Sequence, residues 1–215
     1  TTTAYKITRQ DNIKQLDMKE PKVFISSFDR PNLSLDVRRG YQQKEKTRAI
    51  LDFIAKHRNE CGIIYCLSRD KTEKVAEMLA KHGISTTAYH AGLSPSARDK
   101  AQDDFINDRV QVVCATIAFG MGIDKPDVRL VIHLDIPDSI EEYFQEAGRA
   151  GRDGQKSYAI IILDGKELEI SKRRLGQRFP KEEYIKDIYE KICFFLQIAE
   201  GDGLNVTREF NMEQF

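Results

Sequence analysis

Cysteine is sparse in this chain, and its spacing excludes a good deal. The four cysteines, Cys61, Cys66, Cys114 and Cys193, form no C-x-x-C pair, and no histidine stands at zinc-finger spacing from them. That speaks against a structural zinc site. Cys66 and Cys114 lie inside apolar runs, where a buried free thiol is ordinary. The pattern fits a reducing, cytosolic compartment better than a disulfide framework. Excess charge is absent as well: 34 Lys+Arg balance 34 Asp+Glu. Only local clustering, not general attraction, can therefore mark a polyanionic partner. No apolar run approaches membrane-spanning length, and the opening TTTAYKITRQ lacks the marks of a signal peptide, so no membrane partner is expected. Internal repeats and low-complexity segments are also missing.

What is present is 215 residues, 40% hydrophobic and 32% charged, enough for a large domain with a real core. Apolar runs of strand length alternate with helix-period segments. The runs are Lys22–Phe28, Gly62–Cys66, Thr86–His90, Val110–Thr116, Arg129–Ile136 and Ser157–Leu163. Several are apolar at consecutive positions, as expected of strands covered on both faces. Between them, KTRAILDFIAKHR carries a stripe of Ile50, Leu51, Ile54 and His57. In DKTEKVAEMLAKHG, Asp70 and Glu73 form a capping-box pattern, Val75, Ala76 and Leu79 face inward, and Gly83 ends the helix. Ser94 caps a third helix with Pro95 at its first position, and Ser139 opens a fourth with Glu141 and Glu142 in the first turn. This alternation predicts an α/β fold, a mostly parallel sheet with helices on both faces. A polar helix precedes it, up to about Met18. A long amphipathic helix follows Pro180, with Ile185, Ile188, Tyr189, Ile192, Leu196 and Ala199 on one face, ended by Gly201 and Gly203.

In a parallel α/β sheet, ligands gather beyond the carboxyl ends of the strands. Four segments occupy such places: CLSRDK, HAGLSPSAR, TIAFGMGIDKPDVR and QEAGRAGRDG. The last sets Arg149 and Arg152 on a glycine-rich corner. They serve either as a solvated helix end, complementing the dipole, or as an anion clamp, since a guanidinium fork fits phosphate oxygens. Gly120-Met121-Gly122 is not a dinucleotide fingerprint, because Lys125 stands where a third glycine belongs. Its glycines still let backbone approach an anion, and Asp124 is either a turn residue or an acceptor for a sugar hydroxyl. His90 has no second His or Cys beside it and is no metal ligand on this pattern; a half-buried imidazole at a strand end is the plain alternative. Ser68 and Arg69 read as a helix cap with an exposed arginine. No Ser-His-Asp arrangement or activated cysteine is visible.

Taken in order, these segments resemble the second RecA-like domain of superfamily-two helicases, specifically the RecQ-type DNA helicases. The resemblance rests on SFDRPNL, IIYCLSR, AYHAGL, VVCATIAFGMGIDKPDVRLVIHLDIP and YFQEAGRAGRDG, and spans roughly Thr1 to Asp164. It implies a RecA-like sheet with a helical C-terminal extension. Residues 1–20 would be the tail of a first RecA-like domain, 21–178 the second, and 179–215 the start of a helical module. It implies a 3′-to-5′ DNA motor closing on ATP and Mg²⁺, both held mainly by the first domain. Arg152 would be the arginine finger and Arg149 its phosphate-contacting companion. Gln145, Asp124 and Gly122 would meet the nucleotide, and Ser68, Arg69, His90, Gly92 and Thr116 the DNA backbone, with no protein-bound metal in this domain. The implied partners are single-stranded and duplex DNA and the first RecA-like domain of the same protein. The implied location is the bacterial cytoplasm, at the nucleoid, or the nucleus.

The chain departs from the family pattern in three ways. No G-x-x-x-x-G-K-[ST] occurs, since Gly165-Lys166 is followed by Glu167, and no Asp-Glu-x-His box occurs. With TTTA resembling the end of motif III, a fragment of a two-domain motor is expected, inactive alone. The family's zinc cysteines are replaced by Cys193 alone, leaving the module after Pro180 open. Two other readings stand beside the RecQ one: an RNA-remodelling domain of the DEAD-box class, and a non-catalytic nucleic-acid-binding module.

Overall fold

The computed structural model describes residues 6–25, 29–120, 123–199, 201–202, 204, 207–209 and 211. By its internal contacts the chain divides into two compact units, Thr1–Glu167 and Leu168–Phe215. The first is built on six strands: β1 (Leu33–Arg38), β2 (Cys61–Tyr65), β3 (Thr86–Tyr89), β4 (Val112–Ala115), β5 (Val128–His133) and β6 (Ser157–Ile162). They pair in the order β1-β6-β5-β2-β4-β3, and every pairing is parallel. The central strands are consecutive apolar residues because both faces are covered: β2 and β4 are buried at every position.

Side chains alternate between faces with period two, which splits the core in two. On one face Ile64, Cys114, Ile132 and Ile160 pack against Ile50, Phe53 and Ile54 of helix α2 (Gln43–Lys56) and Ala76 and Leu79 of α3 (Arg69–Lys81). On the other, Ile63, Val113, Val131 and Ala159 meet Phe105 of α4 (Pro95–Ile106) and Ala147 of α5 (Ile140–Ala147). Each such fully buried aliphatic side chain contributes about 1.5–3 kcal/mol. Before the sheet lies the polar helix α1 (Lys6–Gln15), with no buried residue.

The expected α/β layering is present, with three local corrections. Lys22–Ile25 forms no strand; Val23, Phe24 and Ile25 are 54%, 90% and 69% exposed, and 26–28 lie outside the described residues. The edge strand is β1 instead, whose polar alternation, LSLDVR, leaves most of it exposed. Asp70 and Glu73 do not cap α3. Ser68 does, its Oγ accepting the Lys71 N–H at 3.2 Å, while Asp70 pairs with Lys74 and Glu73 reaches His90. Ser94 and Ser139 cap α4 and α5 as expected, with Pro95 at the first turn of α4.

In the second unit, α6 (Glu167–Arg178) begins at the last residue of the first unit, and α7 (Glu182–Leu196) follows. The apolar pattern predicts α7 through to Gly201. It stops at Gln197, left-handed at φ 53°, whose N–H turns back to the Cys193 and Phe194 carbonyls.

Candidate functional site

The glycine-rich corner after α5 is held from below by backbone. Gly151 N–H donates to the Val128 carbonyl at 2.8 Å, and Asp153 N–H to that of Pro126 at 3.2 Å. Gly151 has φ +62°, and a Cβ there would stand 2.6 Å from the Asn32 amide nitrogen and from Ser157 Oγ, so only glycine fits. Two residues far away in sequence hold the corner from the side. The Arg30 guanidinium donates to the carbonyls of Gly148 (3.4 Å), Ala150 (2.9 Å) and Gly151 (2.8 Å). The Asn32 amide donates to Gly151 (2.8 Å) and Gln155 (2.9 Å). These carbonyls lie just past the end of α5, and a fixed cation is a strong donor to them. An ion pair between Arg129 and Asp153 fixes the far side.

The two arginines of the corner do different things. Arg149 turns inward: its Nη1 donates to the Gly120 carbonyl at 2.6 Å, and its Nε is buried with no hydrogen-bond partner among the described residues. Gly120 makes room for it, at φ +142°; a Cβ there would lie 2.1–2.6 Å from the guanidinium atoms. Beneath it, Tyr65 donates to the Phe119 carbonyl at 3.2 Å and stacks on His133, centroids 5.3 Å apart. Burial pushes the Tyr65 phenol up, with the Arg149 charge pulling the other way. His133, itself buried, bonds through Nε2 to Glu146 at 2.8 Å, so this nitrogen carries the proton. Ends of β2, β5 and α5 are thereby tied together under the corner.

Arg152 turns outward. Its Nη1 lies 3.1 Å from both the Ile123 carbonyl and Asp124 Oδ1, with 37% of the arginine side chain and 87% of the aspartate exposed. A pair this exposed is worth about 0–1 kcal/mol, so the guanidinium is free to exchange Asp124 for a stronger anion. Gln145 is exposed on α5, and Gly122 lies outside the described residues.

The other expected residues gather at the carboxyl ends of β2, β3 and β4. Thr116 N–H donates to the Tyr89 carbonyl at 3.1 Å, which sets it beside His90. Ser68 accepts an N–H at the start of α3 and so keeps its hydroxyl proton to donate. Gly92 packs against Arg69: a Cβ there would stand 3.0 Å from Arg69 Cδ and Nη1. His90 is buried, with Nε2 3.0 Å from Glu73 Oε1 and Nδ1 accepting the Gly92 N–H at 3.2 Å. It stands behind this surface rather than on it. The loop is tied to β5 by Asp135, which accepts from Leu67 N–H (2.9 Å) and Lys71 Nζ (2.7 Å).

One group of potential metal ligands, Cys61, Asp108 and Asp127, lies at the opposite, amino end of the strands. Its centre is already served by the buried Lys125 ammonium, 2.7 Å from Asp108 and 3.2 Å from Asp127. Burial raises the Cys61 thiol to about 11, away from the thiolate a metal needs. Arg30, Asn32, Tyr65, the His133–Glu146 pair and Lys125 all escape reading from sequence alone. The quoted run SFDRPNL held the signal for the first two, an arginine and an asparagine with no local partner.

An all-parallel sheet covered by helices on both faces, with arginines beyond its carboxyl ends, is an α/β domain of the RecA-like kind. The same fold is seen in yeast Dbp5 bound to RNA and ADP BeF3, at a TM-score of 0.65 and 20% identity over 84% of this chain and 48% of that one. The model of the helicase conserved C-terminal domain matches residues 45–154. The RecQ-like DNA helicase BLM of Xenopus laevis is 40% identical over 225 residues, all of this chain and 16% of that protein. The ATP-dependent DNA helicase RecQ of Pasteurella multocida is 47% identical over 164 residues, 76% of this chain and 26% of that protein. The chain belongs to the helicase conserved C-terminal domain family, in its RecQ branch. It spans about a quarter or less of these two relatives.

Proposed function

We propose that this domain is the second RecA-like half of an ATP-dependent DNA helicase of RecQ type. Residues 1–20 would lead from a first RecA-like domain, 21–178 form the second, and 179–215 open a helical module. The observation that supports this best is the division of labour at the glycine corner. One arginine is locked inward on Gly120, and the other is held outward by an exposed, exchangeable partner. An anionic phosphate fits there: Arg152 is accessible, and Arg149 Nε has no acceptor among the described residues. Mg²⁺ fits poorly, because Asp124 beside Arg152 is already paired, so its ligands would come from the first domain. Bound ATP would supply the phosphoryl group that passes to water. Arg152 would place its fork against the charge that grows on that group, an effect worth ~10³ to 10⁵ in rate in other nucleotidases. Arg149 would hold the Gly120 loop, Gln145 and Asp124 would meet the nucleotide, and Ser68, Arg69, Gly92 and Thr116 would carry the DNA backbone.

The test is unwinding by the whole protein, with matched DNA and RNA duplexes and ATP. Unwinding of DNA with DNA-stimulated ATP hydrolysis is expected. RNA-stimulated hydrolysis with no response to DNA would favour the DEAD-box reading, and binding without hydrolysis a non-catalytic module. Residues 1–215 alone, with no phosphate loop in their sequence, should turn over no ATP.

A further inference from the structure

Arg69 stands at the first turn of α3, exposed, with no hydrogen-bond or ion-pair partner among the described residues. Glu73 lies four residues on, on the same helix face, and basic-before-acidic pairs at this spacing are closed elsewhere, at Arg48–Asp52 and Lys100–Asp104. The Glu73 carboxylate is engaged by His90 instead. The imidazole is 5% exposed, its Nδ1 accepts the Gly92 N–H at 3.2 Å, and its Nε2 proton is thereby directed at Glu73 Oε1, 3.0 Å away. The turn from His90 to Leu93 is closed by Leu93 N–H donating to the His90 carbonyl at 3.1 Å, which fixes the backbone that carries the ring. Gly92, lacking a side chain, leaves the space in which Arg69 lies.

We propose that His90 is a positioning residue for nucleic-acid binding: by holding Glu73, it keeps Arg69 unpaired and available to a backbone phosphate. The proposal rests on the reading of Arg69 as a DNA-backbone contact, and it moves His90 from the contact set to a supporting role. An Arg69–Glu73 pair would have to be broken by each incoming phosphate, and its carboxylate would repel that phosphate.

The test is a fluorescence-anisotropy titration of the whole protein with a labelled oligothymidylate across a salt series. Arg69→Ala is expected to weaken binding and to flatten the log–log salt slope by about 0.7, one phosphate on a single strand. If it binds like the parent, the DNA-contact reading itself fails. His90→Ala is expected to weaken binding about 1.5- to 2-fold, the size of one exposed helical ion pair. Adding Glu73→Ala to His90→Ala is expected to restore the parent affinity, because the competitor is gone. His90→Gln, whose amide N–H reaches Glu73 but cannot accept from Gly92, should stay near the parent. With Arg69→Ala weak, a double variant as weak as His90→Ala would overturn the proposal, and so would a His90→Ala protein that binds like the parent. Rescue separates this role from a purely structural one, since removing Glu73 cannot rebuild the turn.

Discussion

At the scale of single residues, Gly120 shapes the site as directly as the arginines do. Gly120 sits at φ +142°, and its missing Cβ is the space the Arg149 guanidinium fills. Gly120→Ala and Arg149→Ala should therefore both lose turnover, because in each the guanidinium is missing from its berth. Gly120→Ala should also cost about 1–3 kcal/mol from backbone strain. Steady-state ATPase and thermal denaturation of the two variants check both halves. A Gly120→Ala protein with parent turnover would mean that Arg149 needs no such berth. The sequence announces that glycines let backbone approach an anion here. It does not announce that the cation would come from the chain itself, because Gly120 and Arg149 meet only when the segments after β4 and α5 come together.

Among the elements, the least obvious link runs from the segment before β1 to the end of α5. Arg30 satisfies three carbonyls there and Asn32 adds a second hold on Gly151. Hydrogen bonds from a charged donor are worth about 1.5–3 kcal/mol each when buried. With these bonds only partly buried, Arg30→Ala should destabilise by about 2–4 kcal/mol, and Arg30→Lys should recover less than half, since an ammonium cannot span three acceptors. Chemical denaturation of both variants measures this; equal stability of Lys and Arg at this position would contradict the fork. Much of the element plan is legible beforehand. β2 through β6 stand out as apolar runs, and the serine caps of α4 and α5 are local chemistry. The misplaced edge strand and the unread α6 share one cause, that burial is not local. β1 is an exposed edge strand with a polar pattern. The more apolar Lys22–Ile25 finds no strand to pair with, and α6 is so polar that Glu167 is its single buried residue among those described.

For the whole molecule, stability and partner binding respond to solution conditions in ways the ion pairs dictate. Glu167 is buried, which alone would raise its pKa. The Lys46 ammonium and the N–H groups of Asp164 and Gly165 overcome this and hold it well below the usual carboxylate range. A carboxyl depressed in the folded state contributes stability that is complete above its unfolded pKa and drains away as pH falls toward its folded value. Acid unfolding should thus steepen below about pH 4.3, and Glu167→Gln should flatten that limb while costing about 3 kcal/mol at neutral pH, because Lys46 is left buried without its partner. Denaturant midpoints against pH decide it; parallel curves for parent and variant would exclude the pair as the source. DNA attraction, with no net charge behind it, should come from two or three local phosphate contacts in this domain, a salt slope of roughly −1.4 to −2.1. Of those contacts, the exposed Ser68 and Arg69 at the start of α3 are readable beforehand. The full withdrawal of His90 into the interior is less so, because its partner Glu73 reaches it only when α3 and the β3–α4 turn meet.

The most direct test of the account is the rate of ATP hydrolysis by the whole protein with Arg152 replaced. Arg152 is the outward member of the pair, held only by the exposed Asp124 and the Ile123 carbonyl. It is asked to act on charge that develops in the transition state, not on the bound nucleotide. Both Arg152→Ala and Arg152→Lys should lower DNA-stimulated hydrolysis by ~10³ or more, while nucleotide titration gives dissociation constants within about threefold of the parent. If Arg152→Ala hydrolyses ATP at the parent rate, the corner is a solvated helix end and the central claim is wrong.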